Sequence, residues 1–122
     1  WDYIKVKRDR AEHTGCPYMG SVFDSDSLSV QRINTAIQAA QTAVAMGQEF
    51  NVNWTMKDNS VIEMTAEQVM GMSVALAVMS DMLHQKARVY KEQIEKIVAD
   101  FEAGELNEEE AREALNKIEW EE

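Results

Sequence analysis

Apolar positions along this chain switch repeatedly between helical and strand-like spacing, and each switch marks an element. From Trp1 to Thr14 the pattern is helical: Trp1, Ile4, Arg8 and Ala11 share one face, with Lys5, Lys7, Asp9 and Glu12 outside it. Gly15 stops that helix and Pro17 keeps it from resuming. Tyr18 to Phe23 reads as a first strand, with Gly20 as a bulge or close approach. The stretch Tyr18–Ser29 is the pivot of the chain. Its β-formers Val22 and Phe23 run straight into Asp24-Ser25-Asp26-Ser27, whose short oxygens suit the free N–H groups of a helix start. Ser27 is the expected cap of a second helix, reaching about Met46. There Val30, Ile33, Ile37, Ala40 and Val44 recur at spacings of three and four, the seam of a helix packed on another helix.

The period then drops to two. Val52, Trp54 and Met56 alternate with Asn53, Thr55 and Lys57, Asp58-Asn59 supplies a turn, and Val61–Met64 returns, a β-hairpin to which the first strand adds as a third. Thr65-Ala-Glu-Gln68 is a capping box opening the longest helix. Its apolar line is Val69, Met72, Leu76, Met79, Leu83, Tyr90, Ile94, Ile97 and Phe101, and Lys86 and Ala87 fill the step before Tyr90. Gly104 ends it. Asn107 and Glu110 form a second capping box, and Ala111, Leu115 and Ile118 make a thin stripe on a fourth helix. The fold class is therefore α+β, predominantly α, with long helices and a small antiparallel sheet. Residues 1–101 read as the main domain and 102–122 as an acidic helical appendage.

Charge sharpens that division. The net charge is −10. Residues 102–122 hold nine Glu against Arg112 and Lys117, so most of the acidity is a property of the tail. A nucleic-acid partner is not expected, because phosphate neutralisation needs a basic face. Lys5, Lys7, Arg8 and Arg10 are interleaved with Asp2, Asp9 and Glu12 and read as a solvated helix face. No apolar run approaches the roughly 20 residues that span a bilayer, and no membrane contact is expected. Cys16 is the sole cysteine, so no internal disulfide forms. The chain begins at Trp1 rather than Met, which suggests a fragment or processed form with more protein upstream.

Candidate chemistry mostly falls away. Asp24-Ser-Asp26-Ser27 opens like a calcium loop, but an EF-hand counted from Asp24 places Leu28, Ser29 and Thr35 where an oxygen ligand, Gly and Glu belong. His13 and Cys16 lack two further ligands for a structural zinc, the only other histidine being His84 in the long helix, and Cys16 lacks an evident base for nucleophilic work. Neither a cofactor nor a catalytic group is expected. Met72 and Met79 read as core filler, and Met70 and Met82 as a partner-facing surface. Trp1, Trp54 and Trp120 read as core or interface anchors, Trp54 where the hairpin meets the second and third helices. Arg8, a charge on an apolar face, needs a partner, and the carboxylates of Asp24 and Asp26 are the expected ones, tying the first helix to the second. Arg8→Ala would then lower the melting temperature by several degrees. Tyr90, Ile94, Ile97, Phe101, Leu115 and Ile118 form the expected interface, since the second helix is too short to cover the third. A dimer or trimer built on residues 86–120 would bury it. The alternative is that the fourth helix folds back and closes the patch within one chain.

One resemblance runs from Trp1 to about Ile97. Trp1-Asp-Tyr-Ile4-Lys5-Val-Lys-Arg8-Asp9-Arg10 resembles W-x-x-[IV]-K-x-x-R-D-R, and Phe23-Asp24-Ser25-Asp26-Ser27-Leu28-Ser29 lies in a segment similar to aromatic-x-S-D-x-x-S. An alanine-rich helix, Trp54-Thr-Met-Lys-Asp58 and Val61-Ile-Glu-Met-Thr65 before a long helix follow in order. Together they resemble the DUF4376 family of tailed-phage and prophage tail proteins, with Asn59 where Gly is usual. The resemblance implies a non-enzymatic structural or adaptor module contacting other phage tail proteins, located in the virion tail or the bacterial host cytoplasm. It leaves as rivals a tail-assembly chaperone absent from the virion and a small-ligand or metal-binding protein using Asp24, Asp26, His13 and Cys16.

Overall fold

The computed structural model describes all residues from Trp1 to Glu122. Eight elements follow in order: α1 (Asp2–Glu12), β1 (Cys16–Tyr18), β2 (Ser21–Phe23), α2 (Ser27–Ala45), β3 (Asn51–Thr55), β4 (Val61–Thr65), α3 (Ala66–Glu102) and α4 (Glu108–Asn116). The class is α+β and mostly helical, as expected. The chain divides into two compact units, one of Ala11–Asp81 and one combining Trp1–Arg10 with Met82–Glu122. Residues 102–122 thus share a unit with the second half of α3 and the first ten residues.

In the Ala11–Asp81 unit the expected first strand is two strands. β1 and β2 form a hairpin with Cys16 opposite Phe23 and Tyr18 opposite Ser21. Met19 and Gly20 are its two-residue loop, with φ of 52° and 76°. Two consecutive positive φ values give the twist that joins tightly paired strands, and Gly20 serves this turn rather than a bulge. β3 and β4 pair as expected, Trp54 opposite Ile62 and Val52 opposite Met64. Their loop is longer than two residues. Met56 N–H donates to the Ser60 carbonyl at 2.7 Å, Ser60 N–H donates to the Asp58 carboxylate at 2.9 Å, and Asn59 takes a φ of 68°. The hairpins remain separate two-stranded sheets. Instead of a third ladder, one backbone bond from Lys57 N–H to the Val22 carbonyl, 2.8 Å, joins them.

Their inner faces meet α2 and α3 in one core. Cys16, Phe23, Ile33, Ala40, Met56, Met64, Val69 and Met72 are buried there, with Trp54, Ile37, Leu76 and Met79 partly buried against them. Trp54 lies where the sequence places it. Full burial of each large side chain contributes about 1.5–3 kcal/mol. Two expectations fail at the margins. Val44 is 55% exposed, so the α2 seam runs out one turn early. Met70 packs against the core, while Met82 is exposed. Tyr18 crosses to α3 and its hydroxyl donates to the Gln68 carbonyl at 2.7 Å. Gly71 makes room for it: a Cβ there would lie 2.2 Å from the Tyr18 oxygen.

Helix ends follow the sequence closely. Thr65 and Gln68 exchange both bonds of their capping box, as do Asn107 and Glu110. Gly47, at φ 68°, closes α2 through bonds from Gln48 N–H to Ala43 O and from Gly47 N–H to Val44 O, and Gly104 closes α3 in the same manner. At the start of α2 the cap is Asp26, one residue before Ser27, which is the first helical residue. The Asp26 carboxylate accepts the Ser29 hydroxyl, and this bond holds its pKa below the usual value.

The expected tie between the first helix and the turn before α2 exists, but Arg8 does not make it. Ser25, a buried hydroxyl, donates to the Glu12 carbonyl at 2.7 Å. Arg8 pairs with its neighbour Asp9 at 3.0 Å instead of with Asp24 or Asp26. Its guanidinium reaches a carboxylate on the same helix, and an ion pair of this kind contributes little to stability. Trp1 sits between two ammonium groups, with Lys5 and Lys91 Nζ at 5.7 and 5.3 Å from its ring.

Candidate functional site

The expected interface lies in the unit that contains the second half of α3. There the chain folds back after Gly104, so that α4 and the segment beyond it pack along α3. Ala111 and Trp120 are buried. Trp120 packs on Tyr90 with ring centroids 5.7 Å apart, and Lys86 Nζ stands 4.3 Å from the Trp120 ring. The Tyr90 hydroxyl accepts from Glu121 N–H at 3.1 Å, and the Lys86 ammonium donates to the Glu121 carbonyl. A flat aromatic over which a cation sits, with the cation also bonded to the backbone beside it, is a directional fastening rather than a greasy contact.

This fold-back corrects the picture of an open apolar seam. Tyr90, Ile94, Ile97, Leu115 and Ile118 are each half-buried within a single chain, and only Phe101, at 43%, remains exposed. What stays open is a groove of about 810 Å³. Val89, Tyr90, Ile97, Ala114 and Ile118 supply its apolar lining. Lys86, Lys96 and Lys117 stand around it, together with Asp100, Glu119 and Glu121. Three of the six expected interface residues therefore line one groove, while Ile94, Leu115 and Phe101 do not. Trp120, read as a core or interface anchor, belongs to this region, and so do Lys86 and Val89, which were not singled out as its parts. Their signal is the break in the α3 apolar line at Lys86, opposite an aromatic 34 positions later.

A second concavity, of about 320 Å³, lies in the Ala11–Asp81 unit. It brings together Asp24 and Trp54, read separately in the sequence, with Ser29, Arg32, Asn53 and Asn59. Asp26 and Ser27 serve the helix start and do not line it, and Trp1 and Arg8 belong to the other unit.

The remaining candidates do not assemble. No three His, Cys, Asp or Glu side chains come close enough together to hold a metal ion. Cys16 is buried in the core, and that burial pushes its thiol pKa up, the reverse of what a nucleophilic thiolate needs. No helix is long and apolar enough to cross a membrane.

A family model described as a domain of unknown function, DUF4376, matches residues 1–116. The chain belongs to the DUF4376 family. The match covers α3 and α4, whereas Lys117, Ile118, Glu119 and Glu121 of the groove lie beyond its last residue. No curated protein and no solved structure matches the chain.

Proposed function

We propose that this DUF4376 chain is a non-enzymatic tail protein of a phage or prophage, a structural or adaptor module that contacts other tail components. The observation that carries the contact role is the groove between α3 and α4. Val89, Tyr90, Ile97, Ala114 and Ile118 give it an apolar lining, three lysines and three carboxylates surround it, and it stays open after α4 has folded back. An apolar segment flanked by charges of both signs suits such a groove, the apolar side chains giving affinity and the charges register. The phage setting rests on the tail-protein resemblance of the Trp1–Arg10 and Gly20–Ser29 motifs. Its place is the virion tail or the host cytoplasm during assembly. Self-association uses the same face in this reading, since Val89 in the groove and Phe101 further along α3 remain exposed.

Mass spectrometry of purified virions, with affinity capture from infected cells, tests the proposal. The expected result is the chain in the particle, bound to a tail component, with Ile97→Asp and Ile118→Asp each abolishing capture while leaving the circular dichroism spectrum intact. Absence from the particle combined with capture of a tail component would make it an assembly chaperone. Capture of no tail component would overturn the proposal. A full-length chain that scatters light as a monomer at high micromolar concentration removes self-association.

A further inference from the structure

Strand β3 has one edge that the chain leaves open. In an antiparallel ladder, alternate residues aim their N–H and C=O groups toward the partner strand and away from it. Met56 N–H donates to the Ser60 carbonyl, and the register sets Trp54 opposite Ile62 and Val52 opposite Met64. Val52, Trp54 and Met56 therefore bond toward β4. The backbone groups of Asn51, Asn53 and Thr55 point to the other side, and no hydrogen bond within the chain takes them up. β2 reaches this edge only at Lys57, whose N–H donates to the Val22 carbonyl.

Open edges template pairing with another chain and are normally blunted by charge, proline or cover. The other edges here are blunted. Pro17 leaves β1 without a donor on its outer side, and β2 is occupied by Lys57. On β4, the Thr65 N–H is taken by the Gln68 side chain, and Glu63 stands exposed in mid-strand. Two copies paired antiparallel about Glu63 would set carboxylate against carboxylate. β3 has no such guard, since Asn51-Val-Asn-Trp-Thr55 carries no charge, Pro or Gly. Paired antiparallel about Asn53, it is complementary to itself. Asn53 meets its counterpart, and a primary amide both donates to and accepts from its own kind. Asn51 meets Thr55, another neutral pair. On the core side Val52 comes beside the counterpart of Trp54, each half-buried in the single chain. The surroundings favour a second copy as well. A net charge of −10 opposes self-association in general, but from Ser27 to Met56 the only charged residues are Arg32 and Glu49, of opposite sign. Two copies approach by this side without net repulsion.

We propose that β3 pairs antiparallel with β3 of a second copy about Asn53, joining two hairpins into one continuous sheet. The five-residue strand brings in fewer residues than the roughly 20–30 a side of a standard interface, so the dimer is weak and depends on concentration. It is independent of the groove between α3 and α4. Sedimentation velocity and amide hydrogen exchange on the full chain, from low micromolar to millimolar concentration, test it. The expected result is a dimer that grows with concentration, with protection rising at the amides of Asn51, Asn53 and Thr55 but not at those of Val61 and Glu63. Asn53→Glu and Asn53→Lys, at an exposed position, should each weaken association through this edge at least tenfold with unchanged circular dichroism. An equimolar mixture of the two variants should restore it, which a damaged hairpin would not allow. Ile118→Asp should leave the protection of β3 unchanged. Unprotected β3 amides at millimolar concentration, association indifferent to Asn53→Glu, or no recovery on mixing the two variants would each overturn the proposal. Protection of β3 that arises only when a tail component is added would overturn it in favour of a foreign strand.

Discussion

The two units of this chain are held by different kinds of contact. Between Ala11 and Asp81, two hairpins and two helices bury Phe23, Ile33, Met56, Met64, Val69 and Met72 almost completely around one centre. In the unit of Trp1–Arg10 and Met82–Glu122, the buried residues are Ile4, Ala87, Ala111 and Trp120, two of them alanines. The rest is half-buried stripe, capped helix ends, and indoles set against lysines. Area burial at about 25 cal/mol per Å² favours the first unit heavily, whereas a cation–π contact supplies about 0.5–2 kcal/mol. Where buried apolar contacts are few, local opening costs less. The difference places the open groove in the unit that can adjust to a partner, and the polar concavity on the one that cannot.

Three substitutions sharpen this comparison, in order of expected effect. Phe23→Ala empties the middle of the larger core and should cost about 3–5 kcal/mol in urea unfolding. It should also speed labelling of buried Cys16 by a thiol reagent. A cost below about 1 kcal/mol would mean the core is not the centre of that unit. Trp120→Ala removes the Lys86 and Tyr90 contacts and should cost about 2 kcal/mol, locally. Hydrogen exchange should rise across residues 86–118 and stay unchanged across 33–72, with Cys16 labelling unaltered. Equal loss of protection in both stretches would refute the separation. Gly71→Ala drives a Cβ against the Tyr18 hydroxyl. It should cost about 1–2 kcal/mol through overpacking despite the better helix propensity of alanine. Adding Tyr18→Phe, which removes the clashing oxygen, should recover part of that cost, and no recovery would place the strain elsewhere.

Much of the fold is legible in the sequence because local rules fix it. Asn107 and Glu110 find each other because three residues separate them on a helix start, and Gly47 and Gly104 end helices because only they take the left-handed turn cheaply. The β3–β4 register follows from strict alternation about Trp54. What is not legible is non-local or atypical. Met19 does not announce a turn, since a methionine at positive φ runs against its own preference, and so one strand was expected where a hairpin stands. Arg8 is satisfied by its neighbour, where the sequence suggests a distant carboxylate. The Lys86–Trp120 contact joins positions 34 apart with no shared period. The candidate sites divide in the same way: Tyr90, Ile97 and Ile118 are legible as an apolar stripe, but nothing along the chain shows that Asp24, Arg32 and Asn53 converge.

The distribution of the three indoles has a spectroscopic consequence. Trp54 is the sole tryptophan of the Ala11–Asp81 unit, and its partly buried ring leans on the core. Trp1 and Trp120 both belong to the other unit, Trp1 with two lysine ammonium groups beside its ring and Trp120 with one. An ammonium group beside an excited indole can donate a proton to the ring and quench it, so these two should emit weakly while the fastening holds and brighten when it releases. Intrinsic emission of the unlabelled protein is therefore already partitioned. Its wavelength follows the hydration of one core, its intensity follows the state of a clasp, and a single titration records both.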